Sequence, residues 1–209
     1  MYDLVIRNGK IVDGSGTSAF YGDVAITGGS IVAVGGTLGI GRREIDASGM
    51  IVTPGWVDIH THYDGQAVWD PYLSPSSWHG VTTVMIGNCG VGFAPVHRGQ
   101  EEYLISLMDS VEDIPTETLR AGINFQWESF GQYLDVLSGM KRVLDVGTHV
   151  PHCAVRVYVM GERGANNEEA TPEDIARMAA VVRDGVKAGA LGVSPSRTFV
   201  HRTRDKGYV

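Results

Sequence analysis

Short apolar runs alternate with amphipathic segments from Pro54 onward, and this alternation constrains the fold more than any other feature of the sequence. The runs are WVDIH, VTTVMIG, VLDVGTHV and ALGVS. Strands that alternate with helices are typical of βα units and a parallel sheet. A complete (β/α)8 barrel needs roughly 250 residues. We therefore predict an α/β fold in which residues 54–209 form the first half of a TIM-type barrel, with about four of its eight units.

Residues 1–53 follow a different pattern, in which valine and isoleucine alternate with polar residues and glycine pairs separate the runs. This pattern predicts antiparallel hairpins in a separate β-rich portion that precedes the barrel.

Three helices are predicted in the barrel portion. The clearest has Thr171 as its N-cap and Pro172 at its first position, and its apolar residues keep helical spacing up to Gly189. The other two cover about 100–111 and 129–137. We expect the segment between them, EDIPTETLRAGINFQW, to be irregular.

The composition excludes several classes of function. Seventeen Lys and Arg against twenty-four Asp and Glu give a net charge of −7, which disfavours binding to nucleic acid or to anionic membranes. Two cysteines without a CxxC pair indicate a reducing compartment. No run resembles a signal peptide or a membrane span. We expect a cytoplasmic protein with neither nucleic-acid nor membrane partners.

The segment PGWVDIHTH ends the first predicted barrel strand and carries the sharpest chemical signal. Side chains alternate along a strand, so Asp58, His60 and His62 share one face, and both imidazoles enter one cavity at the carboxyl end. This pair predicts a transition-metal site, and we expect Asp58 to accept a ring N–H. The alternative is a chance pair among the seven histidines of the chain.

Cys89 follows the second strand in the glycine-rich segment VTTVMIGNCGVG. Neighbouring strands of a βα array place this thiol near the histidine pair. Three roles are open for it: a metal ligand, a nucleophile, or a small buried residue at a tight turn. A metal on the histidines would ionise the thiol, which favours ligation.

These segments resemble the amidohydrolase superfamily, and within it the N-acyl-D-amino-acid deacylase (D-aminoacylase) branch. The resemblance rests on PGWVDIHTHYD, GVTTVMIGNCGVGFAPV, LMDSVEDIP, WESFGQYLDVL, HVPHCAVRVYVMGERG and ATPEDIARMAAVVRDGVKAGALGVSPSRT. The HxH pair and the cysteine also occur in the order of the family, on the first and second strands.

The resemblance implies a zinc-dependent hydrolase, with one or two Zn²⁺ ions and an eight-stranded barrel flanked by a β-sandwich to which residues 1–53 contribute. It assigns His60 and His62 as ligands of the first strand, and Cys89 as the ligand that bridges or anchors the metal. In such enzymes the metal acidifies a water that attacks the acyl carbonyl. Two further histidine ligands and a catalytic aspartate are expected on later strands, so no catalytic acid or base is assigned within this chain.

Other polar residues follow the third and fourth strands. His152 and Arg197 are predicted to bind substrate, the arginine by holding a carboxylate. Asp64, just after the HxH pair, is a candidate for an outer contact to the metal or its water. His97 and Cys153 are interpreted as surface or packing residues.

The sequence thus predicts a metal-dependent hydrolase of the linear amide bond of small N-acyl amino acids, with the D configuration implied by the resemblance. One alternative is a cyclic-amide hydrolase of the hydantoinase or dihydropyrimidinase kind. Such relatives need a modified lysine at the end of the fourth strand, where this sequence has GVSPSR. The other alternative is a metal-binding fragment without catalytic activity.

Overall fold

The computed structural model describes residues 1–112 and 114–196. These residues fall into two units, Met1–Gly55 and a second unit that begins at Trp56. In the part of the chain so described, no helix is both long enough and apolar enough to span a bilayer.

The first unit contains a mixed five-stranded sheet. Its strands are β1 (Tyr2–Ile11), β2 (Phe20–Thr27), β3 (Ser30–Val34), β4 (Gly41–Asp46) and β5 (Ile51–Val52). The antiparallel prediction is confirmed for the pairs β1–β2 and β2–β3. It is wrong for β4 and β5, which both pair with β1 in parallel. The reason is that the connection 35–40 carries the chain to the far edge of β1 instead of reversing it in a tight turn.

A buried carboxylate holds the first unit together. Asp23 is only 4% exposed. It accepts hydrogen bonds from the Arg7 guanidinium at 2.8 Å, the Asn8 backbone N–H at 3.0 Å and the Leu38 backbone N–H at 3.0 Å. The Leu38 N–H is the largest cause that lowers the pKa of Asp23, with the Asn8 N–H and Arg7 acting in the same direction against burial. One side chain therefore ties β1, β2 and the 35–40 connection to each other.

The second unit is built on short parallel strands. β6 (Trp56–Asp58), β7 (Val81–Ile86) and β8 (Asp145–Thr148) form one sheet in that order. β9 (Val150–Pro151) and β10 (Val193–Ser194) form a parallel pair. The predicted mixed α/β fold with parallel strands is therefore confirmed, whereas the half-barrel and the β-sandwich remain predictions.

Helices connect these strands. They are α1 (Glu101–Glu112), α2 (Thr116–Gly122), α3 (Phe130–Gly139), α4 (His152–Met160), α5 (Glu162–Ala165) and α6 (Pro172–Ala188). The three predicted helices are confirmed as α1, α3 and α6. Capping boxes begin two of them, at Ser129 and at Thr171, and these caps satisfy backbone N–H groups that a helix start leaves free.

The sequence did not predict α2, α4 and α5. The expectation of an irregular segment over 112–127 is wrong, because α2 forms there. Only Thr116 and Leu119 of this helix are buried, and no side chain caps its start, so the usual sequence signals of a helix are weak. The residues of α4 are buried on nearly every side, so the helix lacks the polar face from which a helical period is recognised.

The apolar core of the second unit positions the segment that follows β6. Tyr133 of α3 is 2% exposed and packs among the core side chains. Its hydroxyl donates to the carbonyl oxygen of Asp64 at 2.9 Å. A buried ring thus anchors the backbone two residues after His62.

Candidate metal centre

His60 and His62 lie just beyond the end of β6. Their ring centroids are 5.4 Å apart, so the structure brings the two imidazoles together. Asp58 accepts the backbone N–H of His60 at 3.2 Å, whereas the sequence predicted a contact with a ring N–H. The Asp58 carboxylate therefore orients the main chain of His60, and this hydrogen bond does not involve the imidazole ring.

A tight left-handed turn carries Cys89 from the end of β7 to His60. The φ angles of Gly87, Cys89 and Gly90 are 77°, 53° and 73°. At Gly87 a Cβ atom would lie 2.2 Å from the carbonyl oxygen of His149, so only glycine fits. The turn leaves Cys89 Sγ 3.2 Å from His60 Nε2.

Hydrogen bonds fasten the two ligand-bearing segments to each other. The Thr61 backbone N–H donates to the Met85 carbonyl at 3.0 Å. The Asn88 side-chain amide donates to the carbonyls of Thr61 at 3.1 Å and Met85 at 2.9 Å. Asp64 Oδ1 accepts the Gly87 backbone N–H at 2.7 Å. The histidine segment and the cysteine turn are therefore held as one piece.

The chemistry and spacing of the three donors fit a zinc ion. One ligand atom each from His60, His62 and Cys89 lies within 4.8 Å of the others. In a tetrahedral site, bonds of 2.0–2.1 Å to nitrogen and 2.3 Å to sulfur put ligand atoms about 3.3–3.7 Å apart. Imidazole nitrogen and thiolate sulfur are donors that zinc prefers. The separation of 3.2 Å between His60 Nε2 and Cys89 Sγ is already close to these values.

The Asp64 carboxyl and the Cys89 thiol both have raised pKa values. Burial raises the pKa of the Asp64 carboxyl to about 7, although the Gly87 N–H opposes the shift. Asp64 Oδ2 has no hydrogen-bond partner among the described residues. Burial also raises the pKa of the Cys89 thiol, and the charges of Glu112 and Asp64 add to that shift. A bound metal cation would act in the opposite direction on the thiol, because a coordinating thiol is deprotonated.

Glu112 is a residue at this site that the sequence did not reveal. It is the last residue of α1, and its Oε1 lies 3.2 Å from His62 Nε2. The only signal in the sequence is a carboxylate in the last turn of a helix, where a basic residue is electrostatically preferred.

The remaining predicted residues are placed as follows. His152 begins α4, and that helix packs against the Asn88–Gly90 turn. Arg197 lies outside the described residues. His97 is hydrogen-bonded through both ring nitrogens, and Cys153 is buried, so both have the structural character that the sequence suggested.

Parallel strands whose carboxyl ends bring two histidines and a cysteine together define an α/β protein with a candidate metal-binding site. The comparisons with known proteins narrow this class. The chain belongs to the amidohydrolase family Amidohydro_3, whose model matches residues 43–206.

Relatives that match over more than nine-tenths of this chain include deacylases of N-acyl-D-amino acids, which confirms the resemblance noted in the sequence. The chain is 35% identical over 193 residues to N-acyl-D-aspartate deacylase of Alcaligenes xylosoxydans xylosoxydans, covering 92% of this chain and 36% of that enzyme. It is similar to a crystal structure of D-aminoacylase with a TM-score of 0.78 and 31% identity, covering 93% of this chain and 38% of the other.

A second solved structure carries a metal. N-acyl-D-glutamate deacylase from Bordetella bronchiseptica, complexed with zinc and a phosphonate inhibitor that mimics the tetrahedral intermediate, matches with a TM-score of 0.76 and 30% identity. The alignment covers 93% of this chain and 38% of that one. The chain thus spans 36–38% of the length of these three relatives.

Proposed function

We propose that this chain supplies the first metal-binding segment of a hydrolase that cleaves the linear amide bond of N-acyl-D-amino acids. The observation that carries the proposal is the convergence of His60, His62 and Cys89 beyond the ends of two adjacent parallel strands. The activities of the relatives support the substrate class, a small acylated amino acid. Both cysteines are free thiols, which supports a cytoplasmic location.

The proposed cofactor is Zn²⁺, as one ion or two, with His60, His62 and Cys89 as its ligands. When bound, zinc supplies a positive charge that acidifies water and polarises an acyl carbonyl. The protein's own contribution is to hold the donors in place before the ion arrives. Asn88 does this by spanning the two ligand segments, and Asp64 by holding the N–H of Gly87 at the start of the cysteine turn.

The proposal includes a finer architecture and a substrate pocket. Residues 54–209 would form about four of the eight βα units of a TIM-type barrel, and residues 1–53 part of a β-sandwich. The parallel order β6–β7–β8 supports the barrel. His152 and Arg197 are the proposed substrate-binding residues, because loops at the carboxyl ends of barrel strands line the active site.

The cyclic-amide alternative has less support. β10 ends at Ser194 and is followed by Pro195 and Ser196, so the lysine that hydantoinase-type enzymes need there is missing. Cys89 beside the histidine pair supplies an anionic ligand in its place.

The test of the proposal is metal content and affinity in wild type, Cys89→Ala and Cys153→Ala. Cys153→Ala is the matched control, because Cys153 is a buried thiol outside the group of converging donors. We expect zinc in wild type and in Cys153→Ala, and a loss of at least about tenfold in affinity in Cys89→Ala. Equal zinc binding in all three proteins would refute the site.

The substrate class is tested by assaying zinc-loaded protein on matched N-acetyl-D- and N-acetyl-L-amino acids. We expect any turnover to favour the D series and to disappear when a chelator removes the metal. Preference for the L series, or hydrolysis of hydantoins instead of linear amides, would refute the proposed substrate.

A further inference from the structure

Ser194 reaches the turn that carries Cys89 from a strand that supplies none of the three candidate ligands. It is the last residue of β10. Its Oγ accepts the backbone N–H of Gly90 at 3.1 Å, in a partly buried contact between residues 104 positions apart. A single hydroxyl therefore connects the end of β10 to the residue that follows Cys89.

The peptide group that Ser194 holds is the one that begins at Cys89. The N–H of Gly90 lies in the same planar unit as the carbonyl of Cys89, so its direction depends on the ψ angle of Cys89. Cys89 has a φ angle of 53° and a ψ angle of 15°, a left-handed conformation that is unfavourable for a residue with a side chain. An acceptor in front of the Gly90 N–H stabilises this conformation, which in turn directs the Cys89 side chain.

The turn also packs closely against the residues that end and follow β10. A Cβ atom at Gly90 would lie 3.1 Å from the backbone nitrogen of Ser196 and 3.3 Å from its Cβ. β10 itself is paired in parallel with β9, where Ser194 lies opposite Pro151. The hydroxyl of Ser194 is therefore presented to the turn from a paired strand and not from a free loop.

Ser194 holds the end of the turn, whereas Asp64 holds its beginning. Asp64 Oδ1 accepts the backbone N–H of Gly87 at 2.7 Å, two residues before Cys89. Ser194 Oγ accepts the N–H of Gly90, one residue after it. The backbone on each side of the candidate ligand is thus fixed by a side chain from another segment.

We propose that Ser194 is a positioning residue of the metal centre, which holds the Gly90 N–H and so fixes the direction in which Cys89 presents its sulfur. The inference rests on the metal-binding function proposed above, with Cys89 as a ligand. Loss of a group that orients a metal ligand weakens metal binding by about 10–100-fold. Because Ser194 acts on Cys89 through the main chain, we expect an effect at the lower end of that range.

The experiment compares wild type with Ser194→Ala, Ser194→Thr and Ser138→Ala. Threonine keeps the hydroxyl acceptor. Ser138 is the matched control, because it is an exposed residue of α3 whose hydroxyl donates to the Asp135 carbonyl within the same helix. Each protein is titrated with Co²⁺ against a competing chelator, and its visible spectrum is recorded. We expect about tenfold weaker binding in Ser194→Ala, and wild-type binding in Ser194→Thr and Ser138→Ala.

The visible spectrum separates positioning of the sulfur from a general loss of stability. In Ser194→Ala we expect the thiolate-to-cobalt band of Cys89 to shift or weaken, and in Ser194→Thr we expect it to match wild type. Equal affinity and equal spectra in Ser194→Ala and wild type would overturn the proposal. Weaker binding with an unchanged thiolate band would also overturn it, as would an equal loss in Ser194→Thr.

Amide hydrogen exchange tests the contact in metal-free protein. We expect the Gly90 N–H to be protected from exchange in wild type and Ser194→Thr, and to lose this protection in Ser194→Ala. Rapid exchange at Gly90 in folded wild type would overturn the role of Ser194, whether or not Ser194→Ala folds. A folded wild type that protects Gly90 but binds no cobalt would overturn the metal centre together with the positioning role. Equal cobalt binding by wild type and Ser194→Ala would overturn only the role of Ser194.

Discussion

Replacing Gly87 by alanine tests whether the turn before Cys89 determines the metal centre. Two penalties apply at this position. A residue with a Cβ in the left-handed region costs roughly 1–2 kcal/mol. The new Cβ would also lie 2.2 Å from the carbonyl oxygen of His149, and relieving such crowding costs about 1–3 kcal/mol. The expected loss is therefore about 2–5 kcal/mol.

Gly99 is a matched control for the backbone penalty. It has a φ angle of 87°, and nothing lies within 4 Å of the Cβ that alanine would add. Gly99→Ala should therefore cost only the roughly 1–2 kcal/mol of the left-handed conformation. The difference between the two variants isolates the clash with His149.

The assay is thermal unfolding in the presence of a chelator, followed by tryptophan fluorescence. All four tryptophans lie in the unit that begins at Trp56, as do both glycines. At roughly 2–4 °C per kcal/mol for a chain of this size, Gly87→Ala should melt about 2–12 °C below Gly99→Ala. Cobalt affinity should fall in Gly87→Ala alone, because the shifted turn moves the Cys89 sulfur. Equal melting temperatures and equal affinities would refute the reasoning.

Three further predictions concern other parts of the molecule. Asp23→Ala should lower the free energy of unfolding by about 2–4 kcal/mol, because two partly buried backbone N–H groups and the Arg7 guanidinium lose their acceptor. Since the pKa of Asp23 is lowered in the folded state, the stabilisation it provides is complete above about pH 4 and is lost as the pH falls through the folded pKa. Urea titrations at pH 7 and pH 3 should therefore show that the variant loses less free energy of unfolding on acidification than wild type does. Equal losses would contradict this account. Tyr133→Phe should cost about 1 kcal/mol and weaken cobalt binding slightly, since the carbonyl of Asp64 loses its donor; an unchanged melting temperature would argue against this anchor. Metal-free Cys89 should be alkylated slowly at neutral pH because its pKa is raised, and Cys153 should be alkylated more slowly still because burial raises its pKa to about 11. Zinc should protect Cys89 from alkylation, as measured by mass spectrometry. Equal labelling of Cys89 with and without zinc would contradict its role as a ligand.

Local signals in the sequence predicted the parts of the fold that local chemistry controls. The cap at Thr171 and the proline after it define the start of α6, because a helix start needs acceptors for its free N–H groups. The histidine spacing and the position of Cys89 after the next strand were sufficient to nominate three residues that the structure brings together. Both inferences rely on neighbours in sequence or on adjacent strands.

Features that depend on distant contacts were missed. α4 is buried on nearly all sides, so no periodic pattern distinguishes it. The contact between Glu112 and His62 joins residues 50 positions apart, through a helix whose packing the sequence does not reveal. The parallel pairing of β4 with β1 depends on a crossover connection, which hairpin signals do not describe.

Each hydrogen bond that joins the histidine segment to the cysteine turn has a main-chain atom at one end or both, among them the carbonyls of Thr61 and Met85 and the N–H of Gly87. The main-chain ends persist when side chains change, so the junction depends on few side chains, among them those of Asn88 and Asp64. The donor set can therefore be inherited intact where these two residues are kept, while the loops beyond other strands diverge. A family organised in this way can acquire new acyl or amino-acid preferences by mutation around the pocket, without having to reinvent its metal chemistry each time.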